Sequence, residues 1–150
     1  MSDDLIYLDY NCFQRGFDDP RQIKIQIEAL ACQEIFIKAE EGKIRLVWSF
    51  MHEDENILCP FPERKYEVSR LATLCKVKVG PKKEIYNLAK LLQAKVRFSA
   101  KDAIHLACAC YVKARFFLTY DSELIKQSRR LKLEVMVMNP VDYIRQEVEK

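Results

Sequence analysis

Short apolar runs alternate with longer amphipathic stretches along this chain. Apolar runs cover residues 5–8, 44–48, 116–118 and 135–137, and the first three are followed directly by a polar or charged residue. Runs of this length with polar flanks are typical of buried strands rather than helices. The pattern therefore predicts four strands, distributed from the beginning to the end of the chain.

Helical periodicity fills the stretches between these runs. In the segment KKEIYNLAKLLQAK, residues 82–95, Ile85 and Leu88 belong to an apolar stripe with charged residues opposite. Residues 23–43 predict a second helix, closed by Gly42, although three isoleucines at its start also alternate as in a strand. Both segments are therefore predicted to be helices, with a strand as the alternative at the start of the second.

A third helix is predicted at DAIHLACACYVK, residues 102–113, which is apolar on almost every side. A helix of this kind is normally central and covered by neighbouring elements. Strands that alternate with helices indicate an α/β fold with a mostly parallel sheet. No repeat or convincing linker interrupts the 150 residues, so we expect a single domain over residues 1–150.

Composition narrows the protein class. The chain is 49% hydrophobic and has no apolar run long enough to cross a membrane, and its acidic N-terminal segment MSDDLIYLDY does not resemble a signal peptide. We therefore expect a soluble, cytoplasmic protein that makes no membrane contact. The six cysteines form no CxxC motif, so free and mostly buried thiols are expected.

Charge gives a weaker indication of the partner. The 25 basic and 22 acidic residues leave a net charge of +3, too small to prove a polyanionic partner. Basic residues gather in residues 76–83 and 125–132, where they either contact phosphates or form solvated surfaces.

Three aspartates occupy positions where an α/β fold commonly binds ligands. Asp9 and Asp121 follow predicted strands, and the carboxyl ends of parallel strands face a shared crevice. Asp102 opens the apolar helix, where the helix dipole stabilises a carboxylate. Asp102 and Asp121 also fit a purely structural role as helix N-caps, whereas Asp9 has no obvious cap pattern.

Carboxylates that converge in one crevice repel each other unless a cation neutralises them. Oxygen ligands suit Mg²⁺ or Mn²⁺, ions that activate water and stabilise phosphodiester displacement. With only two histidines in the chain, neither a multi-histidine zinc site nor a well-supported Ser-His-Asp triad is available.

Three further residues are candidates for supporting such a site. His105 lies three positions after Asp102, on the same helix face, and either binds substrate or a carboxylate or is a satisfied core histidine. Thr119 fits a supporting hydroxyl or an ordinary strand residue. Asn11, two positions after Asp9, fits a residue that orients a metal-bound water or a turn residue.

Four segments of the chain together resemble the PIN-domain nucleases, the family that includes the VapC-type toxins of toxin–antitoxin pairs. The matching segments are IYLDYNCFQR, LVWSFMHEDE, SAKDAIHLACA and FFLTYDSELIK, in that order along the chain. The resemblance implies a three-layer α/β/α sandwich and a divalent-metal site built from acids on several elements.

The resemblance also implies roles for individual residues. Asp9, Asp102 and Asp121 would be metal-site acids, with Asn11 and Thr119 in support. The family's remaining acid follows a serine after the second strand, where this chain has three consecutive acids, Glu53, Asp54 and Glu55. Glu55 is preferred because its distance from that serine fits best, and the polar, proline-rich residues 52–65 predict a short or displaced helix there.

The hypothesis that follows is metal-dependent endonucleolytic cleavage of RNA, and the basic residues proposed to hold the RNA backbone are Arg15, Lys82, Lys83, Arg129 and Arg130. Family members commonly form homodimers and are inhibited by a small antitoxin, so both kinds of partner are implied.

Two other functions compete with this one. A non-catalytic module would keep the fold and bind RNA or protein without cutting, and the unusual residues around Glu55 favour it. A phosphoacceptor receiver domain would need adjacent acids after the first strand and a lysine after the last, and the chain has neither.

Overall fold

A computed structural model describes residues 4–149. Five parallel strands form one sheet, in the spatial order β3-β2-β1-β4-β5. The strands are β1 (Asp4–Leu8), β2 (Ile44–Ser49), β3 (Val77–Val79), β4 (Phe116–Leu118) and β5 (Met136–Met138). Because every strand runs in the same direction, all five carboxyl ends lie along one edge of the sheet.

Helices connect the strands and cover both faces of the sheet. They are α1 (Tyr10–Gln14), α2 (Ile23–Glu40), α3 (Phe50–Ile57), α4 (Pro62–Ala72), α5 (Lys83–Lys95), α6 (Ala100–Tyr111), α7 (Ser122–Ser128) and α8 (Pro140–Val148), with a 3₁₀ turn at Arg15–Phe17. Helix α2 ends just before Gly42, whose φ of 76° is the left-handed conformation that glycine adopts without strain.

The sheet separates two hydrophobic cores. Successive side chains of a strand point to opposite faces, so Ile6 and Leu8 of β1 enter the core beneath α1, α2, α4 and α8, whereas Tyr7 enters the core beneath α5 and α6. Phe116 and Phe117 of β4 divide in the same way. The architecture is the three-layer α/β/α sandwich with a parallel sheet that the sequence predicts.

The observed elements confirm most of the predicted ones and add others, including α1, β3, α4 and α8. Helix α2 replaces the alternative strand at residues 23–27, and α6 is the covered central helix that its apolar surface indicates. Strand β3 was not predicted, because it lies inside the basic segment 76–83. It has only three residues, and the lysine at position 78 interrupts the apolar pattern that would indicate a strand. Helix α4, which begins at Pro62, was also not predicted, whereas the expected shortness of α3 is confirmed.

The six cysteines are free thiols, four of them buried, as the absence of a CxxC motif predicts. No helix within residues 4–149 is long and apolar enough to cross a membrane. Residues 1–3 and 150 lie outside the described part of the chain, so the two ends of the single domain expected over residues 1–150 do too, and that expectation stays a prediction.

Candidate functional site

Asp9 lies directly after β1 and is buried at the carboxyl edge of the sheet. Its Oδ2 accepts a hydrogen bond from Thr119 Oγ1 at 2.7 Å and lies 3.5 Å from the donor Asn11 Nδ2. Its side chain makes no cap hydrogen bond to α1, as the absence of a cap pattern predicts. Both contacts use Oδ2, so neither commits Oδ1 of this carboxylate.

Thr119 joins Asp9 to the end of the neighbouring strand. Its buried hydroxyl donates to Asp9 and accepts from the backbone N–H of Asp121 at 3.1 Å and from Asn11 Nδ2 at 3.3 Å. The three residues that the sequence predicts to work together, Asp9, Asn11 and Thr119, are therefore in direct contact.

Asp121 follows β4 and caps α7. Its Oδ1 accepts from the backbone N–H groups of Glu123 and Leu124, at 3.0 and 3.1 Å, so the N-cap alternative is confirmed. Both cap bonds go to the same oxygen, and Oδ2 is not committed to the cap. Because the Asp121 side chain is exposed at the strand end, capping and a second role are compatible.

Asp102 lies in the first turn of α6, but it is not the N-cap. Ser99 occupies that position, and its hydroxyl accepts from the backbone N–H of Asp102 at 3.1 Å. Partial burial raises the pKa of the Asp102 carboxyl, and the negative charges of Asp9 and Asp121 raise it further. Asp102 on α6 therefore lies within electrostatic range of the acids that follow β1 and β4.

Helix α3 presents its three consecutive acids in different environments. Glu53 accepts a hydrogen bond from Trp48 Nε1 at 2.8 Å, and Asp54 is exposed. Glu55 is half-buried; it is hydrogen-bonded to His105 Nε2 and lies 3.7 Å from Lys101 Nζ. Of the three, Glu55 is thus the acid in contact with α6, the helix that carries Asp102.

His105 is both buried and bonded to a candidate acid. Its Nε2 contacts Glu55, and its Nδ1 lies 2.5 Å from the Tyr7 hydroxyl, which in turn lies 2.7 Å from Ser49 Oγ. The two interpretations of His105, a carboxylate partner and a satisfied core histidine, are therefore both correct. Tyr7 was not predicted, because a tyrosine inside an apolar strand gives no signal of a polar contact.

His52 is a second histidine whose place the sequence did not indicate. Its Nδ1 accepts from the Ser49 backbone N–H at 2.9 Å, and its Nε2 lies 2.6 Å from the Leu8 carbonyl oxygen. Complete burial is the main reason why the pKa of His52 lies well below its ordinary value, and the nearby His105 lowers it further. His52 therefore links the ends of β1 and β2 as a neutral ring.

The predicted RNA-binding residues lie in three places. Arg15 forms ion pairs with Asp18 at 2.8 Å and Glu28 at 3.5 Å, and its guanidinium lies over the Tyr120 ring, so it is engaged within the protein. The other four are exposed on helix ends: Lys82 and Lys83 at the start of α5, and Arg129 and Arg130 after α7.

Among residues 4–149, no three His, Cys, Asp or Glu side chains are grouped closely enough to hold a metal ion. The donor chemistry nevertheless fits a hard divalent cation, because Asp9, Glu55, Asp102 and Asp121 offer only oxygen. Burial is the main cause of the raised pKa of Asp102, and the additional repulsion from Asp9 and Asp121 is the part that favours a cation here. The metal site and its ligands stay a prediction.

Comparison with known proteins supports the fold. No protein-family model matches the sequence, and no curated protein matches it. Among solved structures, the chain is similar to the crystal structure of VapBC2 from Rickettsia felis bound to a DNA fragment from their promoter. The two share 11% sequence identity with a TM-score of 0.61, over 90% of this chain and 98% of the other. At this identity the likeness concerns the fold alone, and the chain has a PIN-like fold.

Proposed function

We propose that this protein is a metal-dependent endoribonuclease of the PIN-domain type. The observation that supports the proposal is that Asp9 and Asp121 follow two neighbouring strands of a PIN-like sheet and both repel the carboxylate of Asp102, on the helix that Glu55 contacts. Together they would hold Mg²⁺ or Mn²⁺, which when bound lowers the pKa of a water and polarises a phosphoryl oxygen.

The chain's own residues would prepare the site for that ion. Thr119 and Asn11 hold Oδ2 of Asp9, which leaves Oδ1 to turn toward the crevice. The cap fixes Asp121 through one oxygen, and His105 restrains Glu55. Exposed Lys82 and Lys83, at the start of the helix that follows β3, would attract the phosphate backbone from the same edge of the sheet.

Cleavage of a mixed RNA panel tests this function directly. Purified protein would be incubated with Mn²⁺, Mg²⁺ or EDTA, and wild type would be compared with Asp9→Asn. We expect cleavage that requires metal and is lost in the variant, because the amide removes the charge of one of the four candidate acids. These four residues, Asp9, Glu55, Asp102 and Asp121, are called the acid group below. If folded, inhibitor-free protein cleaves no RNA with any of the metals, the proposed nuclease function is wrong.

A second candidate function is a PIN-like module that binds RNA or protein without cutting it. It is favoured by the lack, within the described residues, of a preformed group of metal-binding side chains. Metal-independent RNA binding, measured by fluorescence anisotropy on protein that shows no cleavage, would support this alternative. Cleavage that EDTA abolishes would reject it.

We also propose protein partners, an antitoxin-like inhibitor and a second copy of the chain. The support is the fold shared with VapBC2 and a set of apolar side chains that the isolated chain leaves exposed, including Ile23, Leu30 and Leu58 at 65–80% exposure. Light scattering on purified protein tests the homodimer: a mass twice that of one chain is expected, and a monomer at all concentrations would contradict it.

A further inference from the structure

A buried chain of hydrogen bonds connects the sheet to Glu55. The Tyr7 hydroxyl on β1 lies 2.7 Å from Ser49 Oγ and 2.5 Å from His105 Nδ1, and His105 Nε2 is bonded to Glu55 Oε1. Tyr7 and His105 are completely buried. Water cannot reach them, so each polar atom must be satisfied by its neighbours in the chain.

The chemistry of the groups fixes the direction of each bond. An ionised Glu55 carboxylate can only accept, so His105 Nε2 carries the proton and donates it. In a neutral ring the other nitrogen, Nδ1, is then an acceptor, and the Tyr7 hydroxyl must donate to it. The Tyr7 oxygen is left to accept from the Ser49 hydroxyl.

Ser49 is available for that role because its other neighbour is already paired. His52 Nδ1 accepts the backbone N–H of Ser49 at 2.9 Å, and His52 Nε2 donates to the Leu8 carbonyl at 2.6 Å. The His52 ring therefore does not need the Ser49 hydroxyl proton, although the two atoms are 3.2 Å apart. The bonds run in one direction, from Ser49 through Tyr7 and His105 to Glu55.

The Tyr7 ring has a separate packing role that phenylalanine would fill. It stacks on Phe117 with centroids 5.3 Å apart and on His52 at 4.8 Å. The ring also lies edge-on to His105 at 5.6 Å, but only the hydroxyl forms a hydrogen bond with it, so ring packing does not by itself explain a tyrosine at this position.

We infer that Tyr7 is a positioning residue, whose hydroxyl donates to Nδ1 of His105 and thereby fixes the ring that holds the Glu55 carboxylate. The effect on catalysis rests on the proposed nuclease function, whereas the hydrogen bond between Tyr7 and His105 is a property of the folded chain alone. A side chain that lies entirely within the core thus acts on the candidate site.

Nitrogen-15 NMR of the histidine rings tests the inference without requiring activity. The chain has only two histidines, and His52→Gln identifies which signals belong to His105. In the wild type we expect a proton on Nε2 of His105 and, at Nδ1, the upfield-shifted signal of a nitrogen that accepts a hydrogen bond. In Tyr7→Phe we expect the proton to stay on Nε2, where Glu55 accepts it, and the Nδ1 signal to move downfield because Nδ1 has lost its donor.

Tyr143→Phe is the matched control. Tyr143 is equally buried but belongs to the core on the opposite face of the sheet, where its ring packs against Phe116. It should leave the His105 signals unchanged. If the wild type cleaves RNA, Tyr7→Phe should lower kcat by roughly 10- to 100-fold with little change in KM, and Tyr143→Phe should not.

Several outcomes would overturn the inference. They are a wild-type His105 that is protonated on Nδ1, an Nδ1 signal unchanged in Tyr7→Phe, or a shifted Nδ1 signal with kcat unchanged in an active enzyme. If Tyr7→Phe does not fold, the wild-type spectrum alone decides whether Nδ1 of His105 accepts a hydrogen bond. Wild-type protein that never cleaves RNA would refute the proposed function, while the NMR result would still decide the role of Tyr7.

Discussion

At the scale of single residues, the candidate site depends on short polar contacts made inside a largely apolar protein. Thr119 and His52 are both completely buried, and each joins the ends of two strands through hydrogen bonds. A buried polar group that loses its partner costs about 1–3 kcal/mol, so changes at these positions should be measurable in stability as well as in function.

Thr119→Val removes one hydroxyl and keeps the shape of the side chain. We expect the free energy of unfolding to fall by about 1–3 kcal/mol, because Asp9 Oδ2 loses its donor and the Asp121 N–H loses its acceptor. Cleavage should fall roughly 10-fold or more as Asp9 loosens. Urea denaturation and RNA cleavage measure the two effects.

The control for that change is Thr73→Val. Thr73 follows α4, and its exposed hydroxyl donates only to the carbonyl oxygen of Arg70. It should leave both quantities near the wild-type value. A Thr119→Val protein that is destabilised but cleaves at the full rate would show that the hydroxyl supports the fold and not the acid.

His52 should make stability depend on pH. Its pKa in the folded protein lies well below the ordinary 6.5, so below about pH 6.5 the unfolded chain binds a proton at His52 that the folded chain does not bind. Stability is fully present above pH 6.5 and is lost as pH falls below that value, by up to about 1.4 kcal/mol per pH unit. Denaturation between pH 7.5 and 5 measures the slope, which should flatten in His52→Gln. An equal slope in both proteins would assign it to other groups.

At the scale of elements, the four candidate acids are associated with four different helices: Asp9 and Asp121 precede α1 and α7, Glu55 lies in α3, and Asp102 lies in α6. Helix α3 is the least predictable of these helices, since it carries three acids in succession. The sequence favoured Glu55 by spacing alone, and the structure adds a reason, since Glu55 contacts α6 whereas Glu53 is bonded to Trp48. Strand β3 escaped prediction because a three-residue edge strand with an alternating lysine has too little apolar pattern.

The three acids of α3 provide an internal comparison. Glu55→Gln should abolish most RNA cleavage, whereas Glu53→Gln and Asp54→Asn should retain it within about threefold, because residues one apart on a helix point in directions about 100° apart. Rates measured on the same RNA under the same metal test the assignment. If Asp54→Asn loses activity while Glu55→Gln stays active, the candidate acid of α3 would be Asp54 and not Glu55.

At the scale of the whole molecule, a parallel sheet gathers acids that are distant in sequence. The positions of Asp9 and Asp121 at strand ends were predictable, because Asp9 directly follows an apolar run and Asp121 comes three positions after another, and the order of segments indicated the PIN-like fold. The hydrogen bonds of Tyr7 and the engagement of Arg15 by Asp18 and Glu28 were not, because they depend on packing between elements. Periodicity predicts elements, but side-chain contacts across the sheet require the assembled fold.

The convergence of acids should make stability respond to metal. The pKa of Asp102 is raised, so its ionisation opposes folding: stability falls as pH rises through the carboxyl's range and stays lower above it. Asp102→Asn should therefore melt at a higher temperature than wild type at pH 7 in EDTA. Thermal melts with and without Mn²⁺ measure this.

Added Mn²⁺ should raise the melting temperature of the wild type more than that of Asp102→Asn, since only the wild type offers the complete group of acids. Asp54→Asn, which removes an exposed acid of α3, is the control and should respond as the wild type does. An equal response to Mn²⁺ in wild type and Asp102→Asn would argue against a metal site that includes Asp102.

The cap at the start of α7 makes the site visible to hydrogen–deuterium exchange. The amide hydrogens of Glu123 and Leu124 both depend on Oδ1 of Asp121 for protection. Any ligand that pulls this carboxylate toward the crevice weakens the two bonds, and any ligand that immobilises it strengthens them. The exchange rates of two backbone amides would thus report occupancy of the acid group without labels and without a substrate.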